Sequence, residues 1–222
     1  MPKTVLVVAA HSDDEALGCA GTVAKHVATG DKVHVLFMTD GVGAREDDLI
    51  EVNKRLSAAE KVAELLGLSS MQNLDFPDNK MDTVALLDVT QAIEKQVVEI
   101  QPDIIYTHHI GDLNIDHQIT HKAVMTACRP QPDFCVKEIY TFEVLSSTEW
   151  NTPGCHPFFP NTFVDITKYI DIKVQVVNLY VDEMRKIPHS RSIKNIIQLN
   201  ELRGNSVGVN YAEAFMLMRY MR

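Results

Sequence analysis

Hydrophobic positions along the chain change period several times, and each change marks a new element. Residues 4–10 (TVLVVAA) form a continuous apolar run, the pattern of a strand buried on both faces. A polar turn, HSDDE, follows at 11–15. Leu17, Ala20, Ala24, Val27 and Ala28 then recur at helical spacing, and Gly30 ends that helix. Val33 to Met38 reads as the next strand and completes a βαβ unit, for which a right-handed crossover is the default. Leu49, Val52, Leu56, Ala59, Ala63 and Leu66 make a second helical face, stopped by Gly67. A short strand near 73–76 precedes the turn Pro77-Asp78-Asn79. Leu86, Val89, Ile93, Val97 and Ile100 form a third helix, broken by Pro102. A strand at 103–107, a helix at 117–128 and a strand at 138–144 continue the alternation.

Alternating β and α elements predict an α/β fold with a mostly parallel sheet flanked by helices. Residues 150–162, rich in proline and aromatics without any period, read as an ordered loop. From Ile166 the chain is expected to be mainly helical, interrupted at Pro188-His189-Ser190, so that 166–222 forms a helical elaboration packed as a lobe beside the sheet. The whole chain, 1–222, reads as a single domain, long enough to bury one core without disulfide or metal staples.

Charge narrows the partners. A formal net charge of -9 argues against nucleic acid and anionic membranes. The apolar run at 4–10 is too short to span a bilayer, and no signal-peptide pattern is visible. Cys19, Cys128, Cys135 and Cys155 contain no C-x-x-C pair, which points to reduced thiols and a cytoplasmic location. Homo-oligomerisation is left open by the sequence.

Ligands of open parallel sheets bind beyond the carboxyl ends of the strands. Two polar clusters fall there. One is His11-Ser12-Asp13-Asp14-Glu15. The other is His108-His109, with Asn114, Asp116, His117 and His121 downstream. Imidazoles and carboxylates converging from two loops suggest a metal site. A hydrolytic zinc site needs three protein ligands, one open position, and a base that does not bind the metal. The bland alternatives are a helix cap for the aspartates and two exposed histidines one turn apart for His117 and His121.

Residues 6–18, LVVAAHSDDEALG, resemble the signature of the PIG-L/LmbE-like zinc N-deacetylases, whose usual form is A-H-P-D-D-E. Asn114-Ile115-Asp116-His117 is similar to that family's second signature, which ends in Asp-His or Asn-His. Thr39-Asp40-Gly41, Arg55, Leu66-Gly67 and Tyr211-Ala212-Glu213-Ala214-Phe215 extend the likeness in the expected order. The resemblance implies a Rossmann-like three-layer fold, Zn2+ as cofactor, and an N-acylated amino sugar or its conjugate as small-molecule substrate. It implies His11, Asp14 and His117 as zinc ligands. It implies Asp13 as the general base that takes a proton from the attacking water and passes it to the leaving amine.

The chain departs from the family pattern at two positions. Ser12 replaces the usual proline. Asn114 stands where several members carry a histidine that faces the oxyanion, so that role passes either to Asn114 itself or to one of His108, His109 and His121. Strand alternation favours His109. Arg55, Asn114, His189 and Arg191 are candidate substrate-binding residues. His189 and Arg191 open a helix after a proline, where backbone N–H groups and a cation favour anions. Asp116, next to a ligand, is expected to orient an imidazole from behind. Asp40 is expected to help shape the pocket. Trp150 and the Phe158-Phe159 pair are candidates for an aromatic floor under a sugar ring, although such residues more often sit in a core. A hydratase or lyase using the same metal on an unsaturated acid, and a sugar-binding module without catalysis, are the competing functions. A dinucleotide enzyme is disfavoured, because the first β–α turn lacks G-x-G-x-x-G.

Overall fold

The computed structural model describes residues 1–39, 49–132 and 134–222, so Asp40 lies outside the described residues. Its elements are β1 (Thr4–Ala9), α1 (Asp14–Ala28), β2 (Lys32–Thr39), α2 (Leu49–Leu66), β3 (Ser70–Phe76), α3 (Leu86–Ile100) and β4 (Ile104–His108). They continue as α4 (Ile115–Ala127), β5 (Glu138–Phe142), β6 (Thr162–Asp165), α5 (Ile170–Leu179), α6 (Ile193–Asn205) and β7 (Ala212–Tyr220). The seven strands form one sheet in the order β3-β2-β1-β4-β5-β7-β6. Pairings from β3 through β5 are parallel; β7 runs antiparallel to both β5 and β6. This is the three-layer α/β fold that the alternating pattern predicts.

The apolar run at the start of the chain explains the layering. Val5, Val7 and Ala9 share one core with Leu17, Ala20 and Val23 of α1, Ala59 and Val62 of α2, and Val176 and Val177 of α5. Leu6 and Val8 face the other way, into a core with Val89 and Ile93 of α3 and Ile119 and Ala123 of α4. Successive residues of a strand point to opposite faces, so a strand covered on both sides must be apolar throughout.

The C-terminal part corrects the expectation. It carries α5 and α6, but its last nine-residue element is a strand, not a helix, and it is no separate lobe. Ala212–Tyr220 inserts between β5 and β6, and Phe215 and Ala212 are fully buried. The segment AEAFMLMRY is composed largely of good helix formers, so local propensity misleads, and pairing to strands on both sides overrides it. The loop reading of 150–162 also ends one residue late, since Thr162 opens β6.

β7 also holds α1 in place. That helix kinks at Cys19, whose φ and ψ are -149° and 15°. The kink leaves the N–H groups of Gly21 and Thr22 to a partner outside the helix, and both donate to the Glu213 carboxylate of β7, at 3.0 and 2.6 Å. Lys173 of α5 neutralises it at 2.5 Å and donates to the Leu17 carbonyl at 2.8 Å. Gly18 lets the kinked helix approach β5, where a Cβ would lie 2.5 Å from the Phe142 ring. Among the described residues no helix is long and apolar enough to cross a membrane.

Candidate metal centre

β1 has β2 on one side and β4 on the other, so the chain reverses its order across the sheet at this strand. The loops after β1 and β4 therefore open onto one crevice, the place where such sheets bind ligands. His11 and Asp14 come from the first loop and His117 from the first turn of α4. All three are buried.

Three atoms converge there. His11 Nδ1 lies 3.2 Å from Asp14 Oδ2 and 3.2 Å from His117 Nε2, and His117 Nε2 lies 3.3 Å from Asp14 Oδ2. Ligand atoms about 2.1 Å from a common ion at tetrahedral angles would stand about 3.4 Å apart. The triangle has that size. Its donor set, two imidazole nitrogens and one carboxylate oxygen, is one that zinc takes readily. The residues present thus fit a divalent cation.

A second layer of carboxylates holds the imidazoles from behind. His11 Nε2 faces Asp116 Oδ2 at 3.2 Å and Asp78 Oδ1 at 3.1 Å. His117 Nδ1 faces Asp112 Oδ1 at 3.1 Å. Asp116 also accepts from the backbone N–H groups of Asn79 and Met81, at 2.6 and 3.0 Å, so it ties the turn after β3 to the site. Asp112 accepts from Ser147 and Thr148 hydroxyls. Such partners fix the tautomer and direction of a ligating ring. The sequence reading named Asp116 and missed Asp78 and Asp112. Its only signal for them was that both sit in turns after strands.

The charges follow from this crowding. Burial works to raise the Asp14 pKa, but the charged His117 imidazole beside it outweighs burial and holds it well below the usual carboxylate range. Burial would lower His117, yet Asp14 and Asp112 carry it up to about 9. His11 is raised well above its ordinary value, its hydrogen bonds to Asp116, Asp14 and Asp78 outweighing burial. Four carboxylates around two imidazoles make a buried pocket that calls for positive charge.

Asp13 points elsewhere than its neighbour. Its Oδ2 accepts from Arg191 at 2.9 Å, and its Oδ1 lies 3.4 Å from Arg55. Burial raises its pKa, and the two guanidiniums pull against that shift. Its backbone sits at φ 136°, a region that L-residues rarely adopt, and its N–H donates to Glu15 Oε2 at 3.0 Å. Glu15 is held in turn by the Tyr180 hydroxyl at 2.8 Å, and burial pushes its pKa up to about 7. The tight turn is what sends the two aspartates in different directions.

A cleft of about 290 Å³ opens over the triad, lined among others by Asp13, Arg55, Asp78, Asn79, Asn114, Ser146, Trp150, Glu183 and Arg191. Asn114 caps α4: its Oδ1 accepts from Asp116 N–H at 2.8 Å while its Nδ2 donates to Asn79 at 3.1 Å. Arg191, two residues before α6 begins, lines the cleft and donates to Asp13 and Ser146. His189 is absent from the cleft lining; its Nδ1 accepts from the Arg191 N–H at 3.0 Å and its ring abuts Trp150.

The alternation argument for His109 is inverted. His108, at the end of β4, turns toward the cluster and stacks on His117 with centroids 3.9 Å apart. Its Nε2 accepts from Ala10 N–H at 2.8 Å, and burial lowers its pKa to about 4, so it stands neutral beside Asp14. His109 turns the other way. Its Nε2 donates to the His156 carbonyl at 2.6 Å, its ring meets Phe158, and it does not line the cleft. His121 donates to the His108 carbonyl at 2.8 Å and is likewise outside the lining.

Known proteins place this geometry. A protein of Escherichia coli described as an uncharacterized deacetylase, YaiS, is 30% identical over 178 residues, covering 78% of this chain and 87% of its own. The diacetylchitobiose deacetylase of Thermococcus kodakarensis is 25% identical over 203 residues, covering 80% and 69%. The crystal structure of the 4-carboxy-2-hydroxymuconate hydratase of Pseudomonas putida superposes with a TM-score of 0.74 at 23% identity, covering 99% and 97%, a likeness of fold. The family model described as GlcNAc-PI de-N-acetylase matches residues 6–128, the stretch that holds His11, Asp13, Asp14 and His117. With its strand ends, its triad and its relatives in agreement, the chain belongs to the PIG-L family.

Proposed function

We propose that this chain is a zinc-dependent hydrolase that removes an N-acyl group, in the first instance acetyl, from an amino sugar or its conjugate. The observation that carries the reading is the triangle of His11, Asp14 and His117 donors opening onto a cleft beside a carboxylate, Asp13, that does not share it. A zinc ion held there would supply Lewis acidity and bring the pKa of water to about 7.

The remaining roles belong to side chains of the chain. Asp13, made more basic by burial, accepts the proton of the attacking water and delivers it to the departing amine. Arg191 and Arg55 fix its carboxylate. The negative charge that develops on the acyl oxygen needs a neutral or cationic donor in the cleft. Asn114 lines the cleft and His109 does not, so the donor role goes to the Asn114 amide. Asp78, Asp116 and Asp112 hold the ligating rings.

A hydratase reading rests on the Pseudomonas neighbour and on two arginines that would suit a substrate carboxylate. One experiment separates the two. Zinc-loaded protein is incubated with N-acylated sugars, free, phosphorylated and nucleotide-linked, and with an unsaturated dicarboxylate, and products are weighed by mass spectrometry. Free amine plus carboxylate from a sugar supports the hydrolase; gain of water by the diacid with intact sugars overturns it.

A further inference from the structure

The chain has one tryptophan, Trp150. It closes a short turn, Thr148–Trp150, after β5. Half of its surface, 50%, is exposed, and it lines the cleft over the triad. Leu113, 51% exposed, lines the same cleft. Two large apolar side chains left in contact with water in one cleft form a surface suited to a ligand.

The ring is held in place. His189 meets it edge-to-face, centroids 5.5 Å apart at 77°. The turn that carries it is bonded to the site: the Ser147 and Thr148 hydroxyls donate to Asp112, the carboxylate behind His117. The turn that bears Trp150 is thereby tied to the triad by two side-chain bonds, from the residues three and two positions before it. The Phe158-Phe159 pair does not share the role. Phe158 packs on His109 and under Arg203, and neither residue lines the cleft.

The cleft therefore combines the ionic groups around the triad, the polar side chains of Asn79, Asn114 and Ser146, and two exposed apolar side chains. A ligand that matches it has an apolar C–H face, hydroxyl edges and a polar group at one end. A pyranose ring is built that way, and a linear amide or an open-chain diacid is not. We propose that Trp150 is the stacking platform on which a pyranose ring of the substrate lies while its acylamino group reaches the His11, Asp14 and His117 triad. The pose rests on the hydrolase reading; the stacking itself does not.

Because Trp150 is the sole tryptophan, its fluorescence reports on the platform directly. The full chain is titrated with glucosamine, galactosamine and N-acetylglucosamine, and separately with N-ethylacetamide and an unsaturated dicarboxylate. Expected is a saturable change in emission with the sugars and none with the last two. In N-acetylglucosamine hydrolysis, Trp150→Ala should raise KM by about tenfold, the scale of one lost aromatic contact, with a smaller effect on kcat. Trp150→Phe should keep most of the affinity. Saturable emission changes with no free amine from any N-acylated sugar, whether free, phosphorylated or nucleotide-linked, would support the platform and overturn the deacylation reading. Hydrolysis with flat emission and an unchanged KM in Trp150→Ala would overturn the platform and leave deacylation standing. Flat emission with every sugar, or a response to the diacid alone, also overturns it.

Discussion

The two halves of the sheet contribute to the cleft in different ways. The parallel half delivers His11 and Asp13 from the loop after β1, and Asp14 and His117 from the first turns of α1 and α4. The antiparallel edge and its helices reach the same place from far along the chain: Arg191 meets Asp13 across 178 positions, and Tyr180 meets Glu15 across 165. The first half sets which atoms can hold a cation. The second helps to set the orientation and charge environment of Asp13, the proposed base, and it anchors α1 through Glu213 and Lys173. Chemistry and its tuning are thus divided between regions that obey different folding rules.

The sharpest way to separate the halves is Asp13→Asn. Its shape is nearly unchanged, but the amide cannot accept a proton, so turnover should fall by about 10²–10⁴-fold with metal content retained. Activity within a fewfold of the parent, in protein with full metal, would move the base elsewhere. On the other side of the comparison, Lys173→Met leaves the buried Glu213 carboxylate without its counter-charge. Loss of one partner from such a pair is expected to cost about 3 kcal/mol of stability. Denaturant unfolding reads this, and an unchanged midpoint would show that the edge does not anchor α1.

Within the parallel half, Asn114→Ala should lower turnover by about 10²-fold, the scale of one oxyanion donor, with less effect on affinity. His109→Ala should not show that signature. The reverse result in steady-state kinetics would restore His109 to the role that the sequence suggested. A smaller, graded effect concerns protons. Against burial, Asp14 and Asp112 carry His117 up to about 9, so below that pH its ring holds a proton that a metal must displace, and the raised His11 pKa acts in the same direction. Apparent zinc affinity should weaken as pH falls from 9 toward about 6, with proton release on binding. Calorimetry in buffers of different ionisation enthalpy counts the protons; an affinity independent of pH would contradict the assignment.

The same division explains what could be read in advance. Strand β1 and the helices that flank it were legible, because burial on both faces leaves Val5–Ala10 apolar without interruption and the helical faces repeat cleanly. The HSDDE turn and Asp116-His117 were legible as candidates because each cluster is contiguous in sequence and follows a strand. Asp112 and Asp78 were not, since a carboxylate that orients an imidazole has no spacing rule of its own. β7 is not legible in advance, because its residues favour helix and only its neighbours make it a strand. His108 and His109 exchanged places because alternation tells which two residues oppose each other, not which face carries the site.

The central claim is that His11, Asp14 and His117 hold one metal ion. It is tested most directly by elemental analysis of purified wild-type protein and of His11→Ala, with folding of both checked by circular dichroism. The account predicts one zinc per wild-type chain and little in the variant. A folded His11→Ala protein with undiminished zinc would contradict it.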